Sequence, residues 1–385
     1  MKSLITFVIF TSFLITPQIT NACSMYKITK GGKTVVGNNE DFLSPNAQFW
    51  FEEGSETTYG VMYMGFLNNF AQGAINEYGL MFDGFYEPYL EIKNTEGKLE
   101  IDIGEALKLV MQTMSTCKEV KTYLETVNLS SLTTGQIVFV DRQGTYLIIE
   151  GDEMIIGDEP EKTFSNFYYS QTSNLDGVDL PYYQKGREFL NTSKTKSTLA
   201  YCGEAMQNFS QNNIAPTQYS TVYDLKKLKI RVYLFQEYDN YVELDLKKEL
   251  AKGNYKVMIP ELFSETTVGY ENYLKYNNSA DPTAFIKEIV GDAEVTEQEY
   301  IESGFGNILK DVGLEWLYDI KDSKGAINVF KYGIDIMPNN SDMHYYLGKS
   351  YAENRNWENA IKSYAQALIL NPTDPDAAKR ISEAQ

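Results

Sequence analysis

Three residues return at one interval: Ala326, Phe330 and Pro338 recur as Ala360, Tyr364 and Pro372, each 34 positions on. That period holds two helices and their turns, and such a unit buries its apolar face only by stacking on another like it. The end of the chain must therefore be a small all-α stack. Upstream a different rule holds. From Ser24 to about Leu250, β-branched and aromatic residues stand between Gly, Asn and Asp turns, and the 29 tyrosines also favour sheet. Three hairpins are expected: Met25–Lys30 with Thr34–Gly37, Gln136–Asp141 with Thr145–Glu150, and Lys229–Gln236 with Tyr241–Asp245. In the last, Ile230, Val232 and Leu234 alternate with Lys229, Arg231 and Tyr233, the period of a strand with one buried face. Helix is expected over Ile103–Val127 and, more weakly, Leu199–Phe209. Paired antiparallel strands with few helices make an α+β layered domain, and the texture changes near residue 265. At 385 residues the chain has room for two or more folding units.

Charge and histidine content narrow the chemistry. With 34 Lys and Arg against 53 Asp and Glu, the net charge is −19, which argues against nucleic acid as a partner. The one histidine, His344, falls inside the helical repeat, so imidazole catalysis and histidine-rich zinc sites are poor readings. Three cysteines, Cys23, Cys117 and Cys202, are too few for a disulfide scaffold. Cys117 and Cys202 fall in helical segments and are expected in the core, with a disulfide between them left open. The start of the chain reads as an export signal: Lys2, an apolar run from Leu4 to Ile15, Pro17, then small Thr20 and Ala22 before a cleavage point. Cleavage there leaves Cys23 as the first residue of an exported, periplasmic or secreted protein. A lipoprotein is the alternative, although Thr20 stands where a lipobox usually has Leu. No later segment is apolar enough to span a membrane.

Around the second recurrence, Leu347-Gly348, Tyr351, Ala360, Tyr364, Ala367 and Pro372 resemble a tetratricopeptide repeat. The resemblance is strong over 341–374 and weaker over 307–340, where Gly333 replaces the second Ala. Pro375–Ala384 would be a capping helix. The resulting plan is a signal peptide at 1–22, a layered domain at 23–262, a linker with helices at 263–306 and a repeat module at 307–385. The resemblance implies a peptide or protein partner for that module.

The new chain start carries its own chemistry. Gly31-Gly32 is a favoured two-residue hairpin turn, so Lys30 should face Lys33 and partners should sum to 63. Cys23 then lies opposite Glu40, with Asn39 and Asp41 beside it. An amino-terminal cysteine carries a thiol and a free amine, the nucleophile and base of one reaction. A nearby Asp would orient the ammonium, and a bulge decides which face Asp41 takes.

With Cys23 and the run Gly37-Asn38-Asn39-Glu40-Asp41, the sequence resembles the N-terminal nucleophile hydrolases of the choloylglycine hydrolase and penicillin V acylase type, the linear amide C–N hydrolases. Asn76-Glu77-Tyr78-Gly79-Leu80 followed by Gly84-Phe85-Tyr86 is similar to a second family segment. The resemblance spans about 23–250 and implies an αββα sandwich of antiparallel sheets, a small-molecule acyl-amide substrate and no metal or organic cofactor. It makes Cys23 the nucleophile, Asp41 the holder of the terminal amine and Tyr86 an oxyanion donor, against the plainer reading of Tyr86 as one more packed tyrosine. Asn38 stands where the family has Arg. The family's Thr-Asn oxyanion segment is placed in Phe167–Asn174, with Gln171 taken from Gln171, Thr172 and Asn174. The nearest candidate for a second family Arg is Arg187. Two missing arginines suit either an enzyme with a different acyl substrate or an inactive hydrolase fold serving as a scaffold through its repeats.

Overall fold

The computed structural model describes residues 23–212, 214–291 and 295–384; the expected export signal lies outside them. The strands are β1 (Ser24–Lys30), β2 (Lys33–Asp41), β3 (Gln48–Glu52), β4 (Val61–Gly65), β5 (Ala71–Asn76), β6 (Met81–Tyr86), β7 (Gly135–Val140) and β8 (Tyr146–Glu150). They continue as β9 (Glu153–Gly157), β10 (Glu161–Ser165), β11 (Thr217–Asp224), β12 (Lys229–Leu234), β13 (Tyr241–Asp245) and β14 (Tyr255–Met258). Helices α1 (Ile103–Thr113) and α2 (Cys117–Leu124) lie between β6 and β7, and α3 (Pro181–Thr192) and α4 (Leu199–Phe209) between β10 and β11. Short α5 (Leu246–Leu250) precedes β14. The strands form two sheets, ordered β10-β1-β2-β11-β12-β13 and β14-β3-β4-β5-β6-β7-β8-β9, antiparallel throughout.

The layering follows from the two-residue period. On the first sheet Met25, Val36, Ile230 and Val232 turn inward to meet Met62, Ile75, Val138 and Ile148 of the second. Their strand neighbours Tyr26, Ile28, Val35 and Val222 turn outward onto α3 and α4. On the far side Phe82, Phe139 and Leu147 face Ala106, Val110 and Val120 of α1 and α2. The result is helix, sheet, sheet, helix, the expected αββα sandwich. Cys117 belongs to one outer layer and Cys202 to the other, so both sheets stand between them; all three cysteines are free.

The first hairpin keeps its expected register from Lys30↔Lys33 to Ser24↔Asn39. Gly31 and Gly32 turn it with φ of 60° and 73°, the left-handed pair that matches the twist of the strands. The helix expected over 103–127 is instead two. Met114 is extended, and Thr116 starts α2 with a capping box in which its hydroxyl accepts from the Glu119 amide and the Glu119 carboxylate accepts from the Thr116 amide. The amphipathic spacing hid that punctuation. Helix α3 was not anticipated; Pro181 at its first turn is its clearest start signal.

Helices α6 (Val268–Asn278), α7 (Pro282–Val290), α8 (Glu297–Glu302), α9 (Phe305–Leu314), α10 (Ser323–Ile336), α11 (Ser341–Glu353), α12 (Trp357–Leu370) and α13 (Pro375–Ala384) complete the chain. Helices α11 and α12 form the repeat's hairpin. They approach so closely at Gly348 that a Cβ there would lie 2.7 Å from the Tyr364 ring. Pro338 and Pro372 each follow a helix end, where proline stops continuation. His344 sits on α11 and donates from Nε2 to the Pro338 carbonyl at 3.0 Å. No helix among the described residues is long and apolar enough to cross a membrane.

The helical module is not a loose appendage. Leu43, Ile214 and Ala215 of the sandwich share one apolar cluster with Phe305, Ile308, Val312 and Trp316. Beyond α9 a π-helical turn, Glu315–Asp319, carries the buried Glu315, whose Oε1 accepts from Ser44 Oγ at 2.9 Å and from Asn46 Nδ2. Those partners lie on the loop leaving β2, just past Asp41. Burial pushes the Glu315 carboxyl up to about 7 despite these bonds.

Candidate active site

Cys23 directly precedes β1 of the first sheet and lines a cavity of about 580 Å³. Alternation aims Cys23, Asn38 and Glu40 inward, as it does Met25 and Val36, while Asp83 of β6 faces them from the opposite sheet on the same side as Met81 and Phe85. The Cys23 thiol donates to Glu40 Oε2 at 3.5 Å, and Asn38 Nδ2 donates to Glu40 Oε1 at 2.9 Å. Glu40 and Asp83 are within hydrogen-bond reach of each other. Each is buried, at 3% and 1% exposure, so this is a pair of carboxyls out of water beside a thiol. Burial raises both, and the neighbouring Glu40 raises Asp83 further. Each of two such neighbours makes ionisation of the other harder. The thiol is pushed up by burial and then by Glu40, Asp41 and Asp83, so at rest it keeps its proton.

Asp41 turns the other way. Its Oδ2 accepts from Gln211 Nε2 at 2.8 Å and Thr217 also bonds it, while Oδ1 is buried with no hydrogen-bond partner among the described residues. The bulge in question is in β11: Asp41 pairs with Thr217 but Glu40 with Tyr219, leaving Gln218 as the extra residue. Asn39 points into the helix layer, where its amide bonds Ser24 Oγ and the Met206 carbonyl.

Tyr86 ends β6 at 45% exposure, its hydroxyl accepting from Asn307 Nδ2 of α9 at 3.0 Å. It lines the Cys23 cavity, with Phe82, Phe85, Ile103, Leu107 and Leu132 making an apolar floor. Asn307, Lys310 and Asp311 of α9 complete the wall. Gln171 does not share this space. It is exposed on a short 3₁₀ turn and lines a neighbouring cavity of about 700 Å³, which meets the first at Tyr86, Asn166 and Asn307. Asn166 is one of the amides that line the Cys23 cavity, with Gln72, Gln136 and Asn307. It directly follows Ser165, whose hydroxyl donates to the Cys23 carbonyl at 2.9 Å, and its own Nδ2 donates to the Tyr86 carbonyl at 2.7 Å. The Ser165-Asn166 pair stands directly before the stretch Phe167–Asn174 in which the oxyanion segment was expected. Arg187 is also elsewhere, paired with Asp176 at 2.7 Å and lining a separate pocket with Tyr26. Among the described residues, no arginine lines the Cys23 cavity. Of the residues lining the Cys23 cavity, Lys310 is the one cation.

Next to Tyr86, Glu87 is fully buried with neither carboxyl oxygen hydrogen-bonded among the described residues. Burial first, then Glu150, push its carboxyl up to about 9. The folded state thus holds a proton that the unfolded chain releases near the ordinary value of 4.5. This contribution is complete below that value and is lost as pH climbs towards 9. Replacing Glu87 by Gln is therefore expected to stabilise the protein at pH 8 by on the order of 3 kcal/mol and to add nothing at pH 4. Denaturant midpoints at the two pH values check this, and an equal shift at both would rule out a buried neutral carboxyl.

A family model described as linear amide C–N hydrolases, choloylglycine hydrolase family, matches residues 29–175, and a tetratricopeptide repeat model matches 341–374. Residues 29–175 are thus similar to the linear amide C–N hydrolases, and 341–374 to a tetratricopeptide repeat. The first match spans Asn38, Asp41 and Tyr86 and begins just after Cys23. Among solved structures, a variant of conjugated bile acid hydrolase from Clostridium perfringens is 18% identical, with a TM-score of 0.48 over 61% of this chain and 96% of that one. Penicillin V acylase from Agrobacterium tumefaciens is 15% identical, with a TM-score of 0.47 over 61% and 91%. No curated protein matched the chain.

Proposed function

We propose that the chain is an exported hydrolase that cleaves a small N-acyl amide through a thioester on Cys23. The observation that carries this reading is Cys23 lining a largely apolar cavity, with the Asp41 carboxyl acting on it and Asp41 Oδ1 buried without a hydrogen-bond partner among the described residues. An amine freed by cleavage after Ala22 would supply that oxygen with a cationic donor. Sulfur attacks the amide carbonyl, and Tyr86 and the second N–H of Asn166 Nδ2 serve the oxyanion. The terminal ammonium protonates the leaving nitrogen, and water then clears the thioester. The apolar floor takes the acyl group and the α9 wall faces the polar end of the substrate. The helical module then acts first as part of the enzyme, with its outer repeat surface free for a peptide or protein.

Intact mass of the exported protein tests the first half of this reading: it should begin at an unmodified Cys23, and a diacylglyceryl group or a start elsewhere would refute it. Turnover on a panel of acyl amides, from penicillin V to N-acyl amino acids, tests the second half. No hydrolysis across that panel would favour the scaffold reading.

A further inference from the structure

The Cys23 cavity has a larger neighbour. The cavity of about 700 Å³ meets it at Tyr86, Asn166 and Asn307, and the first two are the oxyanion donors of the reading above. The volume of this second space is in the range that holds a whole small ligand, more than one amino acid fills. Polar groups line it: the amides of Asn166, Gln171, Asn174 and Asn307 and the hydroxyls of Thr172 and Ser173. No Lys, Arg or His is among its lining residues, and their one carboxylate is the exposed Asp179. The start of α9 also reaches this cavity, yet it offers an anion little. The Gly304 amide is bonded to the Ile301 carbonyl and the Asn307 amide to the Gly304 carbonyl. Lys310 lies about a turn further along α9, in the Cys23 cavity and beside Asp311. Asn166 Oδ1 is buried with no hydrogen-bond partner among the described residues, so the junction of the two cavities holds an acceptor in want of a donor.

We propose that this cavity is the subsite for the amine half of the substrate, and that the amine it takes is uncharged, larger than a single amino acid and rich in amide or hydroxyl groups. The assignment rests on the hydrolase reading above and names the class of its leaving group. With the acyl group on the apolar floor and the carbonyl at Tyr86 and Asn166, the nitrogen side continues past those donors into the neighbouring space. Side-chain amides both donate and accept, so they match the peptide groups of a short peptide or the hydroxyls of an amino sugar. A carboxylate or sulfonate on that half would leave water for a wall that holds Asp179 and no cation, and its lost hydration would not be replaced. Two distant parts of the chain build the wall: Gln171, Thr172 and Asn174 follow β10, while Ile301, Ser303 and Asn307 come from the helices beyond the sandwich. The helical module thereby takes part in choosing the substrate.

One acyl group carried on different amines tests this. Phenylacetyl-glycine, phenylacetyl-glycinamide, phenylacetyl-glycyl-serinamide and phenylacetyl-glucosamine are offered to the full chain starting at Cys23, and kcat/KM is measured for each. Binding of the same four to Cys23→Ala gives their order without turnover. Glycinamide should exceed glycine about 10-fold or more, and the serinamide extension or the glucosamide should add about 10-fold again. A gain with either upholds the assignment and tells a peptide-like amine from a sugar. Ser173→Trp, at an exposed position, should fill the cavity and remove that added gain, and Asp179→Lys should close the gap between glycine and glycinamide. The assignment is overturned if the glycine conjugate does as well as glycinamide, if neither larger amine gains, if the gain survives Ser173→Trp, or if Asp179→Lys leaves the gap open. Hydrolysis with no preference among the amines overturns the subsite and keeps the hydrolase reading. The expected binding order with no turnover keeps the subsite and sinks that reading.

Discussion

Cys23→Ala is expected to reduce amide hydrolysis at least about 10⁴-fold while leaving the unfolding midpoint unchanged, because the nucleophile is lost and little packing goes with it. Cys23 is a half-buried residue that lines the cavity, and its thiol bonds Glu40 at 3.5 Å. Removing the sulfur deletes one atom from a place that water can refill, a change well under about 1 kcal/mol. Burial, and then Glu40, Asp41 and Asp83, keep the thiol protonated, so its loss removes no charge from the site. Steady-state kinetics beside thermal unfolding check both halves. Turnover that survives in Cys23→Ala would remove this residue from the chemistry, whereas loss of activity together with the fold would make it structural.

The second large effect lies far from the sulfur. Trp316→Ala should cost about 3–5 kcal/mol, the range for deleting a large buried aromatic. Its ring is 2% exposed and meets Tyr276 edge-on at 5.4 Å. Gly325 packs so closely that a Cβ there would lie 2.3 Å from the indole, so on that face no side chain stands ready to refill the gap. Trp316 follows Glu315, the anchor of the β2–β3 loop, and stands just beyond the α9 wall of the cavity. The loss should therefore appear in function as a raised KM with kcat within a few-fold. Equilibrium unfolding and acyl-amide kinetics on the full chain read the two numbers. A destabilisation below about 1 kcal/mol would mean that the module does not rest on this ring.

Much of the architecture was legible because it rests on local rules. Gly31-Gly32 set a turn whose geometry dictates partners summing to 63, and the register from Lys30↔Lys33 to Ser24↔Asn39 obeys it. The 34-residue period marked the helical array, since small and aromatic residues must meet wherever helices pair. The break between α1 and α2 was missed because amphipathic spacing runs through it, and the Thr116 cap counted for less than the periodicity. Gln171 was chosen from a stretch of polar residues with no means of telling which one faces the cavity; only the end of β10 against β1 brings Asn166 there.

By itself the sequence determined what neighbours along the chain can decide: the hairpin, the alternation of faces, the repeat and the thiol opposite Glu40. The tertiary structure decided what depends on segments far apart. Asp83 comes from the second sheet to stand beside Glu40, the β11 bulge sets Asp41 against Thr217, and α9 walls a cavity more than two hundred residues upstream. Local spacing carries no information about these contacts, because each depends on how two independently formed layers are pressed together.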